Sequence, residues 1–426
     1  MLANVIRERG PITVAAFMEL ALYDSRFGYY ARAVRRSGRA GDFFTSVDVG
    51  PLFGELVEVQ LAEMGRILNS QFPRPGCFDL VEAGAGDGRL SADILRAARR
   101  ADPEFYESVR LHLVEASDAA RSVQRETLDD VADRLASSGP SLPDSFGGVL
   151  VANELLDAMP VHQVVMREEG LREVYVTVRS AEASRSIADR RQHFDRARAF
   201  DGARGFSRAD PASRAELTLV EGPLSTPALA EYLARAGVEL EPGWRAEINL
   251  RAVEWVRDAA RRLRRGFIIL IDYGHEAREL YSASHSAGTL TAFSRHRSAG
   301  PESPLPAWLE HPGERDITSH VDFTSIRTAA EEAGLQTLGF LDQTYFLFGL
   351  LSALGTDQPI SSQQSINNQQ STISNLQSIS NQQSAISNLK MLIMPGGLGS
   401  TFKVMILGKG VGTPALAGCS YRMRVT

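Results

Sequence analysis

The stretch LVEAGAGDGRL, Leu80 to Leu90, constrains the fold more than any other part of the chain. An apolar run enters three alternating glycines, and helix-like sequence follows at once. Glycine lets the backbone turn sharply and approach a ligand, and a helix that begins there directs its free amides at that ligand. The texture recurs: FDLVEAG, LHLVEAS, GGVLVANEL and GFIILIDYG are apolar runs ending in Gly, Asn, Asp or Glu. Helix-like segments at 90–100, 119–136 and 250–263 alternate with them. Such alternation predicts an α/β fold, a Rossmann-like parallel sheet covered by helices on both faces.

The turn lacks the Lys-Ser/Thr pair of a nucleoside-triphosphate loop. Its G-x-G-x-G spacing also departs from the G-x-G-x-x-G of a dinucleotide turn. Glu82 in front of it and Asp87 inside it would place carboxylates beside a pyrophosphate. They suit a ligand with cationic groups, and S-adenosylmethionine carries an ammonium and a sulfonium. The next strand ends in Glu115, where a carboxylate can accept from both ribose hydroxyls. The expected cofactor is S-adenosylmethionine, held by Glu82, Gly84, Gly86, Gly88 and Glu115. A packing turn accounts for one glycine and hardly for three.

A second constellation is ANELLDAMPVHQ, Ala152 to Gln163, at the end of a buried strand. Asn153, Glu154 and Asp157 fall where open parallel sheets collect their chemistry. Carboxylates there can orient a guanidinium by bidentate hydrogen bonds and relieve it of a proton. The plainer alternative is a helix cap at Asn153 with surface acids. Asp272 in IDYG is weighed in the same way, as a site acid or as a plain strand-end turn residue. His320, in DITSHVDF, is either a poised base or a hydrogen-bonded loop anchor, and the anchor is favoured. No histidine pair has helix spacing, so no metal is expected.

The chain has 426 residues, 43% hydrophobic and 23% charged, enough for a large core and more than one lobe. A net charge of -6 gives no case for nucleic acid, which demands a concentrated basic face. Cys77 and Cys419 cannot build a disulfide framework, which fits a reducing compartment. No run approaches a membrane span, and the first residues lack a signal core, so a cytoplasmic protein is expected. Residues 1–75 read as a helical N-terminal lobe, with Ser46 or Asp48 capping a helix. Residues 76–162 and 250–408 form the core, and 163–249 an inserted substrate lobe with a hairpin and the strand ELTLVEG. Within 356–389, NQQS at 368–371 returns at 381–384. This polar tract reads as a disordered insertion, with isoleucine spacing leaving a weak amphipathic helix open. TFKVMILGKG is a last strand, and 409–426 an unstructured tail.

Taken in order, RFGYYARA, GDFFTS followed by FGEL, LVEAGAGDGRLSADIL, ANELLDAMPVHQ, IDYG, GTL, RHR, DITSHVDF and STFKVMIL resemble one family. It is that of the mitochondrial complex I assembly factor 7, also called MidA. The resemblance spans about residues 4–355 and 390–408, and leaves out the polar tract, AGPESPLPAW and the tail. It implies a class I methyltransferase fold and an S-adenosylmethionine-dependent protein arginine methyltransferase. It also implies a protein substrate, a subunit of NADH dehydrogenase. Carried onto this chain, it places the ligand turn on Gly84, Gly86 and Gly88 and the ribose acid on Glu115. The post-strand motif falls on Asn153, Glu154 and Asp157, and an N-terminal pocket motif on Gly41, Asp42, Thr45 and Ser46. A bacterial member is expected, with the mitochondrial matrix as its compartment only if a transit peptide precedes this sequence. A homodimer is a further expectation. Two rivals stand beside this reading: a small-molecule methyltransferase, and an assembly chaperone that binds the cofactor without catalysis.

Overall fold

The computed structural model describes residues 2–32, 45–70, 78–179, 217–294, 297–298, 306–354, 382–393 and 402–421. Its centre is an eight-stranded sheet. Seven strands make its main path: β1 (Phe78–Ala83), β2 (Val109–Val114), β3 (Leu135–Gly139), β4 (Phe146–Asn153), β5 (Leu263–His275), β6 (Gln336–Asp342) and β7 (Phe402–Lys409). Their order is β6-β7-β5-β4-β1-β2-β3, with only β7 antiparallel to its neighbours. The short strand Val321–Asp322 adds to the end of β5.

The central strands of this sheet, β1, β4 and β5, are apolar on both faces because both are covered. In β1, Phe78 and Leu80 join the core under the helices Leu52–Ser70 and Arg89–Ala101, whereas Val81 and Ala83 join the opposite core. That second core is closed by the helices Leu250–Arg262 and Phe323–Glu332. β5 divides likewise, with Phe267, Ile269 and Ile271 on one side and Ile268 and Leu270 on the other. Period-two alternation between two buried faces makes these runs uninterruptedly hydrophobic. β4 and β5 approach closely at Gly148 and Gly266, where a Cβ on Gly266 would collide with the Gly148 carbonyl.

A separate antiparallel sheet carries the hairpin His162–Arg167 and Gly170–Val178, with Leu217–Gly222 and Arg245–Ile248 beside it. Ile12 and Thr13 pair with Val176 and Tyr175 of the hairpin. The helix Leu2–Arg9 and the turns from Val14 to Tyr23 pack on this sheet, burying Phe17, Met18 and Leu22 against Val165, Val174 and Val176. The described residues among the first 75 thus divide between two cores, since the helix Leu52–Ser70 covers the central sheet. The charged stretch 185–214 lies outside the described residues.

Four local expectations are corrected. The helix expected over 119–136 ends at Leu128, and β3 follows a 3-10 turn. β3 is a mostly exposed edge strand, so it has no apolar run to announce it. The cap near residue 46 belongs to Thr45, whose side chain and Asp48 form a capping box over Ser46–Val49. In the tail, Leu416 and Ala417 are buried against the core, and the Gly418 amide donates to Gln60 Oε1 at 2.9 Å. A few apolar residues suffice to fix a polar segment when a groove receives them. In the polar tract, the end is helical over Gln382–Ile393, with Leu389 and Leu392 buried; 355–381 lie outside the described residues.

Candidate active site

The strand registers bring the candidate residues to one edge. Ala83 is level with Val114 and Ala152, and Asn153 with Ile271, so Glu115 and Glu154 lie one residue past their strands, and Asp272, still within β5, lies one residue past the level of Asn153. Ligand sites of open parallel sheets form along this edge.

On one side stands the glycine turn. Gly84, Gly86 and Gly88 have φ of +74°, +52° and +87°, left-handed values that suit glycine. A Cβ on Gly86 would meet nothing within 4 Å, which leaves room beside the backbone. The Gly86 amide donates to Glu115 Oε2 at 2.9 Å, and the Ser117 amide donates to Oε1 at 2.8 Å. The Gly86 carbonyl accepts from Gln124 Nε2 at 2.8 Å. Glu82 is buried, and its carboxylate accepts from the Ser91 amide and hydroxyl, tying β1 to the following helix. Burial pushes its pKa up to about 8. The turn, its open flank and the strand-end acid fit S-adenosylmethionine.

On the other side stands the loop after β4. Glu154 has φ +53°, a left-handed conformation that costs about 1–3 kcal/mol in a non-glycine residue and gathers at functional sites. Asp272 determines this loop's path: Oδ2 accepts the amides of Leu155 at 3.2 Å, Leu156 at 2.7 Å and Asp157 at 3.4 Å. Asn249 Nδ2 donates to the Leu156 carbonyl at 2.9 Å, and the Ser319 amide donates to the Asp157 carbonyl at 3.0 Å. Glu154 accepts from Asn153 Nδ2 at 3.1 Å and from the Ser46 amide. Oδ1 of Asn153 and Oδ1 of Asp157 are buried without hydrogen-bond partners.

The two sides touch. A Cβ on Gly84 would come 3.1 Å from Leu155 Cδ1. Asp48, in the turn that starts at Ser46, pairs with Arg89 at the head of the helix after the glycines. Ser46 Oγ donates to Gln343 Oε1 at 3.2 Å.

Three sequence-predicted residues, Asn153, Glu154 and Asp157, therefore lie together, with Ser46 against Glu154 and Thr45 bonded to Asp48. Asp42 and Gly41 lie outside the described residues. Sequence reasoning missed Tyr23, Tyr30, Tyr273 and Asp316. Tyr23 donates to the Ala158 carbonyl at 2.9 Å, and Tyr30 to Asp316 Oδ1 at 2.8 Å. These residues sit inside the motifs RFGYYARA, IDYG and DITSHVDF or just ahead of them, so position within those motifs was the available signal.

The electrostatics are those of crowded acids. Burial first, then the Asp272 charge, raises Glu154. Burial, then Asp272, Glu154 and Asp316, raises Asp157 well above the ordinary carboxylate range. Burial pushes Asp272 up to about 7 against four opposing backbone hydrogen bonds. Among the described residues, no ion pair is made by Glu154, Asp157 or Asp272. The arrangement is a dry set of acceptors suited to a cationic, donor-rich group.

Comparisons with known proteins agree with this geometry. Residues 56–341 match the family described as S-adenosyl-L-methionine-dependent methyltransferase. The mitochondrial protein arginine methyltransferase NDUFAF7 homolog of Drosophila melanogaster is 28% identical, over 80% of this chain and 72% of that protein. The mouse protein arginine methyltransferase NDUFAF7, also mitochondrial, is 28% identical over 80% and 71%. A Burkholderia thailandensis protein, solved with S-adenosyl-homocysteine bound, superposes with a TM-score of 0.74 at 27% identity, covering 98% of this chain and 92% of that one. The glycine turn, the strand-end acids and these matches agree: this chain belongs to the S-adenosylmethionine-dependent methyltransferase family.

Proposed function

We propose that this methyltransferase acts on an arginine side chain of a protein, with Glu154 and Asp157 as the acceptor-binding acids. The observation that carries the reading is the set of buried acceptor atoms without partners, Asn153 Oδ1 and Asp157 Oδ1, beside Glu154. A guanidinium brings five N–H donors and one positive charge to that set. Bound at the glycine turn, S-adenosylmethionine supplies an electrophilic methyl group on a sulfonium.

Gly84, Gly86, Gly88 and Glu115 hold the cofactor, with Glu82 buttressing the turn through Ser91. Thr45 and Ser46 form the N-terminal wall of the pocket. Asp272 sets the loop so that Glu154 and Asp157 face the acceptor. As the acceptor nitrogen gains a methyl it loses a proton, and a carboxylate with a raised pKa accepts it well at neutral pH. Orientation and exclusion of water supply most of the rate. Residues 163–249 serve as the substrate lobe.

The relatives' names support arginine as the acceptor and an assembly role. The substrate we infer is a subunit of respiratory NADH dehydrogenase, met in the bacterial cytoplasm or the mitochondrial matrix. Among the described residues no helix is long and apolar enough to cross a membrane. The test is incubation with isotopically methyl-labelled S-adenosylmethionine and cell extract, with the labelled residue located by mass spectrometry. Label on arginine of a protein supports the reading. Label only on small molecules sinks it, and no label with retained client binding favours the chaperone.

A further inference from the structure

Three histidines from three segments meet at the carboxyl end of β5. His275 is its last residue, His285 ends the short helix Ala283–His285, and His320 precedes the strand Val321–Asp322. Their ring centroids lie 5.1, 5.4 and 5.7 Å apart. One ring nitrogen of each lies within 4.8 Å of the other two, and all three residues are half-buried. No sequence spacing announces this cluster, because the parallel pairing of Val321 with Gly274 brings residue 320 beside 275.

The surroundings orient the rings. Nδ1 of His285 is 3.1 Å from the Glu279 carbonyl oxygen. Nδ1 of His275 is 3.0 Å from Glu279 Oε1, short but off the hydrogen-bonding direction. The Glu279 carbonyl thus takes Nδ1 of His285, while its carboxylate lies beside Nδ1 of His275. Metal-binding imidazoles divide their two nitrogens, with one on the ion and the other on a carboxylate or carbonyl. His320 Nδ1 is buried without a hydrogen-bond partner, while its backbone amide donates to Thr289 Oγ1 at 3.1 Å. Lys403, a cation near His275, is paired with Asp342.

We propose that His275, His285 and His320 bind a divalent transition-metal ion of the zinc type, with Glu279 as its outer partner and a fourth position open to water. Zinc–nitrogen bonds of about 2.0–2.1 Å place ligand nitrogens roughly 3.4 Å apart, so the ring nitrogens, now within 4.8 Å of one another, close by up to about 1.4 Å on binding. The ion fastens the segment before Val321 to β5. Through the Ser319 amide on the Asp157 carbonyl, it steadies the loop of the carboxylate site.

The test uses the full chain without an affinity tag, stripped with chelator. Zinc is titrated against a chromophoric chelator, and cobalt(II) is titrated by visible absorption. The expected result is one equivalent of metal, a tetrahedral-type cobalt spectrum, and loss of that spectrum in His285→Gln and His320→Gln. Glu279→Gln, whose side chain is 63% exposed, leaves the fold intact and weakens zinc by about 10- to 100-fold. Substoichiometric uptake by the unaltered chain overturns the proposal. So does a cobalt spectrum unchanged in His285→Gln, or zinc affinity unchanged in Glu279→Gln.

Discussion

The Gly86 amide and the Glu115 carboxylate are joined by a 2.9 Å hydrogen bond that spans two neighbouring strand ends. It positions the acid against the glycine turn. A second amide, from Ser117, holds the other oxygen, so the carboxylate is oriented from both sides.

Replacing Glu115 by alanine removes a charge-assisted acceptor from the ribose position. Such a bond contributes about 1.5–3 kcal/mol, or roughly 10- to 150-fold in the dissociation constant. Calorimetric titration with S-adenosylmethionine should show a loss of that size; unchanged affinity would remove Glu115 from the cofactor site.

Acceptor binding should strengthen as pH rises above the ordinary carboxylate range and the buried acids lose their protons. Protonated acids cannot pair with a guanidinium, and burial has raised Glu154 and Asp157 in the same direction. The expected signature is a KM for the arginine substrate that falls with increasing pH while cofactor affinity stays level. A KM independent of pH across that window would argue against a charged acceptor site.

Glu82 makes a separate, opposite statement about stability. Its folded pKa of about 8 lies above the ordinary 4.5, so between these values the folded chain binds a proton that the unfolded chain has released. Its contribution to stability is fully present below about 4.5 and is lost as pH rises through about 8. Glu82→Gln should therefore melt higher than the parent chain above that window, with the gain shrinking toward acid pH. Equal pH slopes in thermal scans would contradict this.

Gly266→Ala should destabilise severely, by about 3 kcal/mol or more. The new Cβ meets the Gly148 carbonyl, and φ of +132° is strained for any side chain. Urea unfolding measures the cost, and a change within experimental error would mean that β4 and β5 can separate cheaply.

Much of this architecture was legible because it is local. Strand β1 is buried on both faces, so its apolar run and the glycines after it announce a strand, a turn and a helix without tertiary information. The same locality exposed Glu115 and Glu154 as acids ending strands. β3 escaped because an exposed edge strand has no need of apolar residues. Tyr30 and Asp316 escaped for another reason: their hydrogen bond joins residues 286 positions apart, and nothing in either segment alone encodes it. Asp272 was weighed as a turn residue, and its hold on three successive amides becomes visible only once β4 and β5 are aligned. The tail packs because the groove beside Gln60 exists, not because its own sequence is strongly patterned.

The account separates a cofactor side, at Gly84 to Glu115, from an acceptor side, at Glu154 and Asp157. The most direct test measures S-adenosylmethionine binding and methyl transfer together in three proteins: the parent chain, Gly84→Val and Glu154→Gln. The account predicts saturable binding and transfer to arginine in the first, neither in the second, and near-normal binding with transfer reduced by about 100-fold or more in the third. Full transfer by Glu154→Gln, or loss of its cofactor binding in a folded protein, would contradict that division.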